Sequence, residues 1–350
     1  MSINFSVIIP TRDGERYLGA TLDSVLAQTY PHFRVFVLES GSTDRTVEIV
    51  KAYDDPRVIL LSHPEPLGMI ENWRRILTLD LDDYLTILGH DDLLYPDFLA
   101  EIARLIAAEP AATLYQTQID YIDGEGKPVN RAVTIPYAKP VARKETADEF
   151  MRAVVTEVEA VCATGYVMRA ADYRAIGGIP EYPNFLYADV EAWYKLAILG
   201  YKAAGVHELA AFRLHGANTH RVSDLVVYFD ACARYLDFCL TTGYFRELGG
   251  AAAVAYVNEL FWRSHRNALL TLVLDGTRDQ WAAYNSQIPR LKERAAKDGR
   301  LKLYDVSSRL HQALARVPIR ALRVGLLSLY RRAKKVESAG HLLLLLTFNF

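Results

Sequence analysis

Two adjacent carboxylates, Asp91 and Asp92, follow a short apolar run at residues 85–88 that predicts a strand buried on both faces. Carboxylates are costly to bury at the carboxyl end of such a strand. Because ligands bind at that edge of open α/β sheets, the pair indicates a bound cation or a polar ligand. The alternative is that one of the two caps a helix beginning near Pro96. These residues alone leave both interpretations open.

The elements around this pair predict an α/β domain. Short apolar runs alternate with helical patterns through the first half of the chain, which is typical of a parallel sheet covered by helices. A helix predicted over residues 189–199 ends at Gly200. The predicted strands lie near residues 7–9, 35–38, 58–61, 85–88, 113–121, 161–168, 201–206 and 210–214.

From about Leu225 the pattern changes to long helices without a strand signal, which predicts an α/β domain at residues 1–224 and a helical region at 225–350. Residues 314–335 contain seven basic residues and no acidic one, interleaved with leucine and valine. This segment could lie on an anionic membrane surface. The alternative is a basic helix packed on the first domain, because Pro318 and Gly325 interrupt the pattern.

The composition is that of a globular protein, with 51% hydrophobic and 23% charged residues and a net charge of −2, and it gives no sign of a nucleic-acid binder. Cys162, Cys232 and Cys239 are widely spaced and predict reduced core thiols. We find no signal-peptide pattern and no apolar run near the roughly 20 residues of a membrane span. The expected location is the cytoplasm, with possible contact at the inner face of the cell membrane.

Four stretches, in this order and spacing, resemble the inverting family 2 glycosyltransferases of the GT-A fold, of the kind that builds bacterial cell-surface polysaccharides. The resemblance extends over roughly the first 220 residues. It implies a Rossmann-like, mostly parallel sheet with helices on both faces. The four stretches are SVIIPT at residues 6–11, SVLAQTY at 24–30, ESGSTD at 39–44 and GHDD at 89–92.

The resemblance implies a donor of the UDP, dTDP or GDP type and a divalent cation, Mg²⁺ or Mn²⁺. A cation across the diphosphate would stabilise the negative charge that grows as the bond to the sugar breaks. Asp91 matches the metal-carrying carboxylate of the family's Asp-x-Asp motif, whose first Asp is Gly89 here. His215, in an Arg-x-His segment, is expected to complete the metal shell, and its alternative role is a bond to the diphosphate.

By the same resemblance, eight residues are expected to contact the nucleotide sugar. For Asn72 the alternative is a solvated helix residue, and Glu39 stands where relatives have an Asp that contacts the base. The eight are Pro10, Thr11, Arg12, Glu39, Asn72, His90, Asp91 and Arg213.

The general base of an inverting displacement must remove the proton of the acceptor hydroxyl. Relatives carry it in a Glu-Asp pair that opens a helix and precedes a Trp. The match is Asp189, with Ala188 in place of the Glu, and its alternative role is a helix cap. Tyr187, Glu191 and Asp92 are the expected acceptor contacts.

The expected function is therefore transfer of a sugar to a glycan or lipid-linked glycan. One alternative is a protein of the same fold that binds nucleotide sugars but has impaired catalysis, because Gly89 and Ala188 replace two family carboxylates. A second is a sugar nucleotidyltransferase, which the single glycine in residues 10–14 disfavours.

Overall fold

A computed structural model describes residues 2–129, 143–155, 161–215, 225–242 and 278–297. The chain divides into two compact units, residues 1–219 and 220–350. The basic segment 314–335 lies outside the described residues. None of the helices within the described ranges combines the length and apolar character that a membrane crossing requires.

Nine described strands of the first unit form one mixed sheet. Their order across the sheet is β3-β2-β1-β4-β8-β6-β9-β5, and β7 pairs with β9. The strands are β1 (Phe5–Thr11), β2 (Phe33–Ser40), β3 (Val58–His63), β4 (Tyr84–Ile87), β5 (Leu93–Leu94), β6 (Leu114–Ile122), β7 (Arg143–Glu145), β8 (Tyr166–Arg169) and β9 (Lys202–Arg213).

Seven α-helices accompany the sheet in the described part of this unit, and the described part of the second unit contains two more. A 3₁₀ turn at Arg75–Thr78 follows α3, and another at Pro183–Phe185 precedes α7. The helices are α1 (Leu18–Leu26), α2 (Thr46–Lys51), α3 (Met69–Arg74), α4 (Phe98–Ala108), α5 (Ala147–Val155), α6 (Ala170–Ala175), α7 (Ala188–Ile198), α8 (Leu225–Thr241) and α9 (Arg278–Lys297).

Strand direction determines which loops meet. β1, β2, β3 and β4 are parallel to one another, β8 is antiparallel to β4 and β6, and β9 is parallel to β6. Six strands therefore run in one direction, as the mostly parallel prediction required. The carboxyl ends of β1, β2, β4 and β9 and the amino end of β8 consequently lie at one edge of the sheet.

The core explains why the elements form where they do. Every residue of β1 is buried, as expected for a central strand of a covered sheet. On α1, Leu18, Leu22 and Val25 recur at helical spacing and are fully buried. Each such side chain contributes about 1.5–3 kcal/mol to folding by leaving water.

Several local predictions differ from the structure, and the strand predicted near 161–168 is observed only at Tyr166–Arg169. The two strands predicted at 201–206 and 210–214 are one strand, β9, whose pairing with β6 shifts register near Gln118. The two-residue strand β5 was not predicted, because it is too short for a period-2 pattern to be recognised. The helix expected near Pro96 begins at Phe98 with Asp97 as its cap residue, so neither Asp91 nor Asp92 caps it.

The described part of the second unit is helical. Tyr235 and Cys239 of α8 and Tyr284 and Leu291 of α9 are buried. Among the described residues, Cys162 and Cys239 are not joined in a disulfide, and nothing is described of the Cys232 side chain.

A buried ion pair fastens β7 to the sheet. Lys202 Nζ of β9, 1% exposed, lies 2.6 Å from Glu145 Oε2 and donates a 2.8 Å hydrogen bond to Gln116 Oε1. The ammonium also lies 4.5 Å from the centroid of the Phe150 ring. Both charges are thus removed from water, and each is stabilised by the other.

We expect Glu145→Gln to lower the free energy of unfolding by about 3–5 kcal/mol, because it leaves the Lys202 ammonium buried without its counter-charge. Urea unfolding followed by circular dichroism measures the change. Arg45→Gln, which removes an exposed ion pair with Glu15, is the control and should change it by less than about 0.5 kcal/mol. If the two variants lower the free energy of unfolding equally, burial does not determine the cost of breaking the ion pair.

Candidate active site

The segment after β4 forms a tight turn at residues 89–92. Asp92 N donates to Gly89 O at 3.1 Å, and Leu88 N extends the pairing with β1 by donating to Ile8 O at 2.9 Å. From α1, the fully buried Thr21 hydroxyl lies 2.8 Å from His90 O and 2.9 Å from Asp92 O. The turn is therefore fixed against both the central strand and the first helix.

Asp92 is directed into the protein. It is 3% exposed; its Oδ1 accepts a 2.9 Å hydrogen bond from Arg213 N, and its Oδ2 accepts one from the Thr164 hydroxyl. Burial, followed by the charge of Asp91, raises the pKa of Asp92 well above its usual range, although both hydrogen bonds oppose the shift. Asp92 thus joins strand ends, and the acceptor contact expected for it is not supported.

Asp91, one residue earlier, is only partly buried and pairs with His215. Asp91 Oδ2 lies 2.7 Å from His215 Nε2. The His215 ring packs against Tyr17, with 5.1 Å between ring centroids. The structure therefore brings together the two residues expected to hold a metal, which are separated by 123 intervening positions, at the carboxyl ends of β4 and β9.

Arg213 holds the backbone of Asp91 by a hydrogen bond. It is 4% exposed; its Nε donates to Asp91 O at 2.7 Å and its Nη1 to Asp123 O at 3.1 Å. The guanidinium lies 4.8 Å from the Tyr17 ring centroid, a favourable cation–π distance. Its contacts hold the 89–92 turn, and its charge remains close to Asp91.

The predicted nucleotide wall lies at the ends of β1 and β2. Thr11 and Glu39 are directly paired in the sheet, and Pro10 pairs with Leu38. Glu39 is buried, and its Oε1 accepts a 2.5 Å hydrogen bond from Ser42 N. Arg12 follows β1 on the surface. The Glu39 carboxylate therefore holds the backbone of the loop after β2, and a ligand contact would be a second role.

The loops after β1 and β2 are also linked to each other. Asp13 Oδ1 accepts a 2.8 Å hydrogen bond from Thr43 N, and Asp13 N donates to Ser42 Oγ at 3.0 Å. Gly14 N donates to Thr46 Oγ1 at 2.8 Å. A Cβ at Gly14 would lie 3.1 Å from the His90 ring, so the glycine allows this ring to lie close to the first loop.

Asn72 is neither solvated nor open to a ligand. It is buried on α3; its Nδ2 donates to Leu38 O at 2.8 Å, and its Oδ1 accepts from Arg75 Nη1 at 2.9 Å. Sequence reasoning missed Arg75, which also donates to Glu39 O at 2.9 Å. Burial lowers the pKa of Arg75 despite the nearby Glu39 charge. The spacing of three residues from Asn72 was the available signal.

Asp189 is the second residue of α7 and is partly buried. Its Oδ1 accepts a 2.9 Å hydrogen bond from Val190 N. The helix cap is Tyr187, in a left-handed conformation at φ 67°, so Asp189 is not the cap. Burial raises the pKa of Asp189 to about 7, against the lowering effect of the Val190 bond. A carboxyl with this pKa can accept and release a proton near neutral pH.

The segment before β8 connects Asp189 to the rest of the site. Burial, then the charges of Asp92 and Asp189, raise the pKa of the Cys162 thiol. Trp193 Nε1 of α7 donates to Cys162 O at 3.1 Å, two residues before the Thr164 that bonds Asp92. The helix that carries Asp189 is thus attached to the same strand ends as the 89–92 turn.

The two remaining acceptor candidates differ. Glu191 is buried; its Oε2 accepts from Tyr182 Oη at 2.6 Å, and its Oε1 accepts from Lys195 Nζ at 2.5 Å. An acceptor contact through Glu191 is therefore not supported. Tyr187 is partly exposed beside Asp189 and stays a candidate.

Asp91 and His215 form the candidate donor set for a divalent cation. Within the described ranges, no three His, Cys, Asp or Glu side chains cluster as a complete metal site. Asp91 and His215 nevertheless offer one carboxylate and one imidazole side by side. Mg²⁺ and Mn²⁺ sites that act on phosphates often use one or two protein ligands, with substrate oxygens and water as the others, so the pair fits such an ion.

The family is decided by a match over residues 6–168 to the model described as Glycosyl transferase family 2. The α/β domain belongs to this family. The family 2 domain is similar to a PGL/p-HBAD biosynthesis glycosyltransferase of Mycobacterium tuberculosis, with 34% identity over 116 residues, which are 32% of this chain and 45% of the relative. The chain spans less than half the length of the curated relatives that it matches at this identity.

Solved structures show that the family 2 domain has the GT-A fold. S. aureus TarS 1–349 in complex with UDP-GlcNAc superposes with a TM-score of 0.59 at 16% identity, covering 80% of this chain and 78% of TarS. The mannosyltransferase PcManGT from Pyrobaculum calidifontis, in complex with GDP-Man and Mn²⁺, gives 0.51 at 16% identity, covering 91% and 87%. The mixed sheet described above is the same architecture.

We expect Asp92→Ala to lower the free energy of unfolding by about 1–3 kcal/mol, because the Thr164 hydroxyl and Arg213 N lose a buried acceptor. Asp92→Asn should cost less, since its amide retains one acceptor oxygen. Asp91→Ala, at a partly exposed position, is the matched control with a smaller effect, and urea unfolding measures all three. An Asp91→Ala variant as unstable as Asp92→Ala would contradict the assignment of Asp92 as the structural carboxylate.

Proposed function

We propose that this chain transfers a sugar, with inversion, from a nucleotide-diphosphate sugar to a hydroxyl group of a glycan or lipid-linked glycan. The observation that carries the proposal is the pairing of Asp91 with His215 at the carboxyl edge of a family 2 domain. The donor is of the UDP, dTDP or GDP type. The complexes of TarS with UDP-GlcNAc and of PcManGT with GDP-Man support this class of donor.

The nucleotide binds at the ends of β1 and β2 in this proposal, against Pro10, Thr11, Arg12 and Glu39. Thr11 Oγ1 and Tyr17 Oη are among several buried side-chain atoms of the described residues that lack a hydrogen-bond partner. Buried polar atoms are rarely left unpaired, so two of them at one edge of the sheet suit contacts with a ligand. Asn72 and Arg75 act through Leu38 and Glu39, whose backbone they hold.

Asp91 and His215 are the residues that would hold Mg²⁺ or Mn²⁺. When bound, the ion would supply positive charge against the diphosphate leaving group. Arg213 fixes the backbone of Asp91, and Thr21 fixes the carbonyls on either side of it. The chain thus provides a rigid carboxylate–imidazole pair that needs no rearrangement of the 89–92 turn.

Asp189 is the general base. The acceptor oxygen forms the bond to the anomeric carbon, its proton passes to the Asp189 carboxylate, and the electron pair of the breaking bond leaves with the diphosphate. A base with a pKa near the working pH balances the fraction ionised against its strength as a proton acceptor. Burial at the start of α7 provides that pKa.

The proposal extends to polysaccharide biosynthesis in the cytoplasm, at the inner face of the cell membrane. The basic, leucine-rich segment 314–335 motivates the membrane contact, and residues 225–350 would serve the membrane or the acceptor. That segment lies outside the described residues, so the proposal rests on its sequence alone.

We expect UDP, GDP or dTDP to raise the thermal midpoint of the full chain only with Mn²⁺ or Mg²⁺ present. A ligand at about 100 times its Kd stabilises the native state by about 2.7 kcal/mol. Asp91→Asn and His215→Ala should lose the metal-dependent part of the shift, while Asp54→Asn, at an exposed position, retains it. If no nucleotide shifts the wild-type midpoint under any metal condition, the donor proposal is wrong.

We expect Asp189→Asn to reduce sugar transfer by about 10²–10⁴-fold without loss of nucleotide binding, because the amide cannot accept the proton. The carboxylate form is required, so the wild-type rate should fall as the pH decreases through about 7, the pKa of Asp189. Rates from pH 5.5 to 8.5 test this, with Asp54→Asn as control. Transfer that survives in Asp189→Asn would exclude this residue as the base, and nucleotide binding without turnover in the wild type would favour the impaired binding protein.

A further inference from the structure

A cavity of about 380 Å³ lies between α3 and the segment that precedes α7. This volume is within the range of small-molecule sites. The cavity is on the other side of α3 from the side chains of Asn72 and Arg75, which turn toward β2. Residues that line it include Gly68, Met69, Glu71, Arg74, Glu181 and Phe185.

The charges around the cavity disfavour an anionic ligand. Arg74 Nη2 lies 2.9 Å from Glu181 Oε2, so this cation is already paired. Glu71 Oε2 accepts a 3.0 Å hydrogen bond from Gly68 N and closes the start of α3. Two carboxylates and one guanidinium leave the described lining with an excess of negative charge. A neutral ligand with several hydroxyl groups can donate to these carboxylates without electrostatic cost.

An apolar surface lies beside these polar groups. The Phe185 ring packs against Trp73, with 4.9 Å between centroids and 58° between planes, and Met69 is 41% exposed. Aromatic side chains with a few placed polar groups are the usual lining of a small-molecule site. A sugar ring, with C–H faces and hydroxyl edges, matches this combination.

The backbone that carries Phe185 also carries the proposed base. Asn184, Phe185 and Tyr187 have φ values of 52°, 59° and 67°, in the left-handed region that non-glycine residues rarely occupy. Such conformations cost about 1–3 kcal/mol each and concentrate at functional sites. Asp189 follows Phe185 by four residues. A sugar in the cavity would therefore bind on the segment that leads directly to the base.

We propose that this cavity is the acceptor subsite and that it takes a neutral sugar unit of the acceptor glycan. The proposal rests on the proposed function, because the cavity becomes an acceptor site only if Asp189 is the base. It assigns Met69 and Phe185 the apolar contacts and the Arg74–Glu181 pair the polar ones.

The test measures binding of p-nitrophenyl glycosides of glucose, galactose, mannose and N-acetylglucosamine to the full chain by saturation-transfer NMR, with glucose 6-phosphate as the anionic comparison. Wild-type protein should bind at least one neutral glycoside. Met69→Trp, which fills the cavity, should weaken that binding about tenfold or more, which is about 1.4 kcal/mol. Ile198→Trp adds the same bulk at a position that is 56% exposed and outside the lining, and should bind as the wild type does.

A second variant removes the ring and keeps the backbone. Asn tolerates left-handed φ better than most residues, so Phe185→Asn should also weaken glycoside binding, with a thermal midpoint near that of the wild type. The proposal is overturned if no neutral glycoside binds the wild type, if Met69→Trp and Phe185→Asn bind it normally, or if glucose 6-phosphate binds more tightly than the neutral glycosides.

Nucleotide binding distinguishes a wrong acceptor-subsite proposal from a wrong proposed function. Met69→Trp should retain the metal-dependent thermal shift with UDP, GDP or dTDP. If that shift persists while Met69→Trp and Phe185→Asn bind glycosides as the wild type does, the acceptor-subsite proposal is wrong and the proposed function is not contradicted. If the wild type shows no shift with any nucleotide, the proposed function fails, and the acceptor assignment fails with it.

Discussion

The hydrogen bonds of the buried Asp92 carboxylate hold three strand ends together, and the positions of the other candidate groups depend on them. Asp92 belongs to the turn after β4, accepts from Arg213 N at the end of β9, and accepts from Thr164 just before β8. These ends meet because β9 runs parallel to β4 and β8 runs antiparallel to it. A carboxylate buried without partners would be destabilising. Burial and the charge of Asp91 raise the pKa of Asp92, and the hydrogen bonds from Thr164 and Arg213 N partly offset this by stabilising the charged form.

This arrangement gives neighbouring carboxylates different tasks. With Asp92 directed inward, Asp91 lies at the surface of the same turn, where His215 reaches it two residues after Arg213. Through Thr164 and Cys162 the same strand ends contact Trp193, and so fix the helix that begins near Asp189. Asp91, His215 and Asp189, the proposed metal ligands and base, are therefore positioned by backbone that Asp92 connects. Desolvation at the start of α7 raises the pKa of Asp189 to about 7, and the partly exposed Asp91 is open to a ligand.

The sequence allowed the parallel strands and their carboxyl-edge residues to be predicted, because apolar periodicity reports burial along a single strand. Only the family resemblance relates Asp91 to His215, since no local pattern relates such distant positions. The burial of Asp92 and Glu191 was not predictable in this way. It depends on Thr164, Arg213, Tyr182 and Lys195, which reach these carboxylates through the tertiary fold. For the same reason the roles of Asn72 and Thr21 became visible only when their backbone acceptors were located.

The absent first carboxylate of the Asp-x-Asp motif has a steric reason in this turn. A Cβ at Gly89 would lie 2.7 Å from Asp91 Oδ1 and 3.0 Å from Asp92 Oδ2, closer than side chains normally approach. A side chain at position 89 would require the Asp91 or the Asp92 carboxylate to shift. A third carboxylate would also add charge where Asp91 already raises the pKa of Asp92. Glycine at position 89 thus allows the turn to close tightly around two carboxylates, and the His215 imidazole lies 2.7 Å from Asp91 Oδ2. One carboxylate and one imidazole would be the chain's contribution to the proposed ion, which would draw its other ligands from a diphosphate and water.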